Sequence, residues 1–565
     1  MHFAGPPGPA DGRSLPVCKL LADKLLMSFR FRHHACRTSA ALVIFCLLLP
    51  AASFAARNWY VSPTGSDTNS GTHAKPFRQI RAALTNVHPG DVVLIADGNY
   101  LGFDVDSISG SNGAPIILQA TGTNAVVTVT TDRSDNRDTI FINDSSYVTV
   151  DGLRSFNGNR AAFRIQNGDH VTVRNCVFGN NSYWGILTGQ SPDLLIENNE
   201  CFGSSNQHGI YVANSADRPI VRGNRCHHNN GSGIQLNADV NTPPGDGIIT
   251  GALIENNLIY DNGRGGGGGL NLDGVQDSII RNNLLFTNHA SGIIFFQIDG
   301  AEGPRGNQVL HNTIDQATDG RWALGIKQTS GTNYVRNNIL LNRHSFRGGI
   351  QFGDPTDASR TDTDFNVVSI ISTNDGDTTL TLAQWKLLGQ DAHSVTGALA
   401  SVFVDANAGN YLLRTNSPAL DIAQPSGVTN DFDGNSRPSG SAPDIGCYEA
   451  SPLPTMMVIR PASMGADASI DIEIALASLT VEEFKQSAAC LHADRAGVPE
   501  TLRRFRESDV SLIAYDKLSY SQGADAETAI AVEIAQNIFF DSLHETTRHL
   551  PSAVQRSLRR TRPAR

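Results

Sequence analysis

A short motif, ending six times in Asn and once in Cys, returns seven times between residues 171 and 338, and this recurrence constrains the fold more than any other property of the chain. The segments are Val171-Thr-Val-Arg-Asn-Cys176, Leu194-Leu-Ile-Glu-Asn-Asn199, Ile220-Val-Arg-Gly-Asn224, Leu253-Ile-Glu-Asn-Asn257, Ile279-Ile-Arg-Asn-Asn283, Val309-Leu-His-Asn312 and Tyr334-Val-Arg-Asn-Asn338. Their last residues are 23, 25, 33, 26, 29 and 26 positions apart. Between them lies a second apolar strand with Gly at its start, as in Gly209-Ile-Tyr-Val, Gly233-Ile-Gln-Leu, Gly269-Leu-Asn-Leu and Gly349-Ile-Gln-Phe. Both strands alternate with period two, so each has one face to bury. A unit this short cannot bury that face alone and must stack on its neighbours. The pattern predicts an all-β, right-handed parallel β-helix of about eight or more coils. Asn at a fixed corner then forms a ladder, each side-chain amide bonding the next one along at the strand spacing of about 4.8 Å.

Composition agrees with a folded, turn-rich chain: 40% of the 565 residues are apolar, 18% are charged and 53 are Gly. A net charge of -11 gives no reason to bind nucleic acid or an anionic membrane. Residues 1–56 read as a leader: Arg30, Arg32 and Arg37 precede an apolar run, Ala40 to Leu49, and then Ser53-Phe54-Ala55, with Met27 as the natural start. Export of a monomer to the cell surface or beyond, with no retained membrane span, is expected. Residues 57–146 read as an N-terminal cap and the first coils, with Phe77, Ile80, Ala83 and Leu84 on one face of a helix from Pro76 to Leu84 that covers the open end. Residues 147–400 carry the repeats, 401–450 a closing module, and 451–565 a partly helical tail of no recognisable type.

The opening Tyr60-Val-Ser-Pro-Thr-Gly-Ser-Asp-Thr-Asn-Ser-Gly-Thr72, with Pro89-Gly-Asp-Val-Val-Leu94, resembles that of bacterial pectate-lyase-like β-helix proteins. Ser417-Pro-Ala-Leu-Asp421, Asp431-Phe-Asp-Gly-Asn-Ser-Arg-Pro438 and Ala442-Pro-Asp-Ile-Gly446 resemble a choice-of-anchor Q module. The resemblance implies a secreted protein that acts on or binds polysaccharide, without naming a reaction. The Gly-His-Gly with paired Asp of polygalacturonases and the Asp-Pro-His-Asp of mannuronan epimerases are both missing, which disfavours those chemistries.

In the second strand the residue after the buried Ile, Leu or Phe points outward. This gives the expected row Arg164, Leu187, Tyr211, Gln235, Asn271, Ile294, Lys327 and Gln351, of which Arg164, Gln235, Asn271 and Gln351 are candidates for binding sugar. The corner after this strand carries the longest insertions, 239–247 and 299–305, as expected of one wall of a groove. His208, His227, His228, Asp261, His289, Asp319 and Arg321 are expected on the opposite wall.

Elimination from a uronate polymer requires neutralising a carboxylate, removing the proton on C5 and protonating the leaving oxygen. Lys327 or Arg321 is expected to take the base and neutralising roles, with Tyr211 or His208 as acid. Asp239, Asp246, Asp273 and Asp299 can offer oxygen ligands to Ca²⁺. A glycosidase built on Asp273 with Asp299 or Asp239, and a glycan-binding surface without catalysis that uses Trp184 and Tyr211, are the alternatives. Five Cys follow the leader, and Cys201 and Cys226 share an inward row, where they can be a disulfide or two buried thiols.

Overall fold

Alternation builds the molecule coil by coil. In Leu195–Glu197, Ile220–Arg222 and Ile279–Arg281 only the middle residue is fully buried. A three-residue strand has one inward side chain, so its stability comes from like strands above and below. In the computed structural model, which describes residues 55–131 and 137–450, these strands form a parallel first sheet of twelve, from Asn58–Val61 to Thr361–Asp364. A further 22 strands are joined through the long strand Gly98–Asp106, which bends across two faces. They divide into a second sheet, containing Glu200–Phe202 and its partners, and a third, containing Ile210–Ala213 and its partners. Every coil thus runs first sheet, second sheet, third sheet, and the right-handed parallel β-helix is the architecture expected from the repeat. The leader, the tail from 451 and Cys490 lie outside the described residues.

The core is a set of inward columns, such as Phe178, Cys201, Cys226, Ile259, Leu285, Ile314 and Leu340 in the second sheet. Full burial of each Ile or Leu stabilises the stack by about 1.5–3 kcal/mol. Cys201 and Cys226 pair directly across adjacent strands as buried free thiols.

The Asn ladder stands at the corner between the first and second sheets. Asn199, Asn224, Asn257, Asn283, Asn312 and Asn338 each donate to the next amide oxygen, ending on Asn366, over 2.9–3.1 Å. Asn257 also donates to the Val221 carbonyl and accepts from the Asn224 backbone N–H, so its amide is fully used. The residue before each ladder Asn turns the corner at φ 52–64°, which explains Asn at 198, 256, 282 and 337 and Gly at 223. Two ladders went unread in the sequence: Asn229, Asn262 and Asn288 between the second and third sheets, and Asn307 with Asn333 between the third and first.

At the N-terminal end the cap helix is shorter than expected, Ile80–Leu84, because Phe77 instead bridges to Val61 as strand; Phe77, Ile80, Ala83 and Leu84 are nonetheless all buried. At the other end an antiparallel hairpin, Ile370–Asn374 with Thr378–Thr381, and the helix Leu382–Lys386 set Trp385 against Phe352. The segment from Leu399 folds back onto the outer face of the second sheet, where Phe403, Tyr411, Ile445 and Cys447 join Leu284, Ile339, Leu341 and Val367 in a second core. A buried Arg437–Glu449 ion pair at 2.6 Å, with Arg437 also bonded to His311, fixes it there.

Candidate functional site

Strand register orders the outward side chains of the third sheet. One row runs Phe141, Arg164, Leu187, Tyr211, Gln235, Asn271, Ile294, Gly325 and Gln351. Lys327 is not in it. Ile326 pairs with Phe295 and Phe352, so Gly325 fills the place expected for Lys327, and Lys327 stands one outward position further along, in line with Asn237, Asp273 and Phe296. The expected row assumed that Ile326 precedes the outward residue as Ile210 precedes Tyr211; pairing shifts the match by two.

The insertions form a wall, as expected. The Val240 N–H donates to the Asp299 carbonyl and the Ala301 N–H to that of Gly247, which ties the two loops together beside the strand ends.

At the coil of Ile210–Ala213, Tyr211 lies 6.0 Å from the Trp184 ring, stacked, and 5.3 Å from His208, edge-on. Burial, with the charges of Asp299, Asp239 and Asp273 adding, pushes the Tyr211 phenol up to about 12, so it stays protonated; its hydroxyl makes no hydrogen bond among the described residues. Burial pushes His208 down to about 4, and its Nδ1 accepts the Ser232 N–H at 2.8 Å. A neutral imidazole so engaged does not fit the acid role expected of His208; it positions the turn beside Tyr211. Arg164 lies over Phe141 at 4.8 Å, 3.5 Å from Asp138 and hydrogen-bonded to Gln166.

The next two coils form an amide floor. Asn271 donates to Gln235 at 2.7 Å, Ser232 donates to the same oxygen, and Gln235 donates on to Asn237. Asn237 in turn donates to Asp299 at 3.2 Å, which turns that exposed carboxylate toward the floor.

The four expected calcium ligands do not gather: among the described residues no three His, Cys, Asp or Glu side chains are placed to hold a metal ion. Asp273 is 1% exposed and accepts the N–H groups of Ile298, Asp299 and Gly300, while Asp239 and Asp246 accept from Asn241 and Ile248 within their own turns. Burial holds the Asp273 carboxyl above its ordinary range against the pull of those bonds. Its work is to shape the loop, which removes it from both the metal set and the glycosidase pair.

Two coils further on, Lys327 forms an ion pair with Asp375, which also accepts from Gln351 at 3.0 Å. Arg321, exposed, precedes the same strand, so Arg321 and Lys327 flank Leu324–Ile326 from opposite ends. The structure therefore brings Tyr211 beside His208 and sets Lys327 and Arg321 at opposite ends of one strand, but does not bring the first pair near the second. Four coils, roughly 19 Å at the spacing of paired strands, separate Tyr211 from Lys327, so the two cannot act on one bond. Asp375 was not foreseen, because only the chain reversal at 374–378 brings it back over the groove.

The expected opposite wall splits. His289 lies between Asp261 at 2.6 Å and Asp319 at 2.8 Å, and His228 lies 2.9 Å from Asp261, lining an open cleft of about 670 Å³ with Arg264 and Tyr260. His227 is elsewhere, stacked between Phe202 and Tyr260 on the second sheet.

Residues 59–295 match the family model described as the Pel9A-like right-handed β-helix region. Pectate lyase PEL9 of Emericella nidulans is 26% identical over 300 residues, which cover 44% of this chain and 71% of that protein. The tail spike protein of Salmonella phage epsilon15 is 28% identical over 187 residues, only 16% of its length. Among solved structures, that of pectate lyase Pel9A superposes with a TM-score of 0.51 at 19% identity, covering 70% of this chain and 98% of the other, which is a likeness of fold. No helix among the described residues is long and apolar enough to cross a membrane.

Proposed function

We propose, from the premise that the chain is a pectate-lyase-like right-handed parallel β-helix protein, that it acts on an extended uronate-bearing polysaccharide laid along the third sheet and cleaves it by β-elimination. The observation that carries the reading is the outward place of Lys327 just past Leu324–Ile326, next to the floor that Gly325 leaves without a side chain, with Arg321 at the other end of the same strand. A polymer bound there meets the Arg321 guanidinium, which holds a uronate carboxylate, at one end of the strand and the Lys327 amine, which faces a C5 proton, at the other. In the reaction the C5 proton passes to a neutral Lys327 amine and the C5 electron pair forms the new C4–C5 double bond. The bond from C4 to its oxygen breaks, and that oxygen takes a proton from water. Gln351 and Asp375 orient the amine; Asp375 must release it before the step. Arg164, Tyr211, Gln235 and Asn271 bind sugars further along and take no part in the chemistry. The arginine-then-apolar leader supports export to where such polymers occur.

The Lys327–Asp375 ion pair favours a second reading, glycan binding without cleavage, because an amine engaged by a carboxylate is not free to take a proton from carbon. Incubation with polygalacturonate, alginate and glycosaminoglycans separates the two. New ultraviolet absorbance from an unsaturated uronate is expected; retained binding with no such absorbance on any polymer sinks the lyase reading. Reducing ends released without that absorbance would indicate hydrolysis instead.

A further inference from the structure

We infer that the groove selects a polysaccharide whose uronates are spaced by uncharged sugars and rejects one charged at every residue; this rests on the reading of the third sheet as a polysaccharide groove. On its strands and their immediate flanks the cations stand at the two ends. Arg164 lies two coils before Tyr211, and Arg321 and Lys327 lie four coils after it. Between them, the strands Ile210–Ala213, Ile234–Asn237 and Gly268–Asp273 carry no Lys or Arg, and neither do residues 238–248 and 297–304 of the wall; of the two Arg in its corners, Arg218 is paired with Asp193 at 2.7 Å and Arg305 is turned to Gln276 at 2.7 Å. The wall instead carries Asp239, Asp246, Asp299 and Glu302.

These carboxylates bear on the groove itself. The Asp299 carboxylate accepts from Asn237, a floor residue, and the charges of Asp299, Asp239 and Asp273 all reach the Tyr211 hydroxyl. The one Arg on the other side of these coils, Arg264, is paired with Asp261 at 2.7 Å. A uronate over Tyr211, Gln235 or Asn271 therefore meets like charge and no free cation, whereas an uncharged sugar meets a phenol donor, two amides and the Trp184 ring. Desolvation in a groove strengthens the repulsion, so the wall acts by exclusion and the end cations by attraction.

The test uses one backbone at two charge densities: polygalacturonate, and the same polymer with most carboxylates methyl-esterified. Affinity of the full-length protein for each is measured at low and high salt, for wild type and for Asp239→Asn with Asp299→Asn, both outside the proposed chemistry. Wild type is expected to prefer the esterified polymer. The double variant is expected to gain about tenfold for polygalacturonate at low salt, with the gain shrinking as salt screens it. Asp319→Asn, on the outer cleft, controls for net charge and is expected to leave the preference unchanged. An unaltered preference in the double variant, or the same gain in Asp319→Asn, overturns the inference while leaving the groove intact. If neither polymer binds to any of these proteins, the groove reading falls and the inference with it. Matching thermal midpoints establish that the variants are folded.

Discussion

Two corners of the same coil behave in opposite ways. Between the first and second sheets the corner holds two residues in every repeat from 175 to 338: one turns at positive φ, and the next takes the ladder position. Between the third and first sheets it ranges from a few residues to the loops at 238–248 and 297–307, which rise beside the floor and carry its acidic wall. A ladder that runs through every coil tolerates no insertion, because each amide must meet the next; the corner between the third and first sheets, where the ladder is limited to Asn307 and Asn333, is free to grow elsewhere. The regular corner therefore holds the fold, and the irregular one shapes the site. The proposed chemistry lies at the edge of the irregular corner, where Lys327 follows the last residue of its strand.

The comparison breaks if changes at the two corners have the same effect. The largest expected effect is on turnover: Lys327→Ala should lose about a thousandfold in elimination rate, followed by ultraviolet absorbance, with an unchanged thermal midpoint. A melting loss in step with the activity loss would make Lys327 structural. Asn257→Ala should do the reverse and cost about 3 kcal/mol in urea unfolding, since it removes the acceptor of two Asn224 donors, leaving the buried Asn224 backbone N–H without that partner, and the donor to Asn283 and to the Val221 carbonyl, while the folded fraction keeps its rate.

A smaller effect depends on pH. Because the folded His208 sits at about 4, below its unfolded value, acid favours the unfolded chain. Stability should fall as pH drops from about 6.5 to 4, by roughly 3 kcal/mol, and then level off for this group. A His208→Gln protein should lack that part of the slope; an identical slope in both proteins would assign it to other groups. Smallest is Tyr211→Phe, expected to weaken polymer binding several-fold, about 1 kcal/mol, with the rate at saturation unchanged. A fall in the saturated rate would contradict the roughly 19 Å separating Tyr211 from the reacting coil.

The sequence misplaced Lys327 for a specific reason. Tyr211, Gln235 and Asn271 each follow the first large apolar residue of their strand, whereas in Leu324-Gly-Ile326 the corresponding place is a Gly with no side chain to mark it. Aligning on Ile326 instead of Leu324 is locally as good and leaves Lys327 two residues out. The calcium set failed differently: Asp239 and Asp246 are spent on backbone N–H groups of their own turns and Asp273 on those of the loop at 298–300, a use of carboxylate that looks the same in sequence as a free ligand.

What the chain determined by itself is everything that repeats: parallel stacking, the buried columns, the first Asn ladder and the face that carries the long loops. These follow from alternation and spacing, which are local and recur often enough to outweigh any single ambiguous residue. Which side chains meet was decided by tertiary structure: Asp375 over Lys327, Asp299 on Asn237, the closing segment on the second sheet, and the distance from Tyr211 to Lys327. Those contacts depend on loop paths and on the count of coils between residues. Neither has a period, so neither leaves a pattern in the sequence.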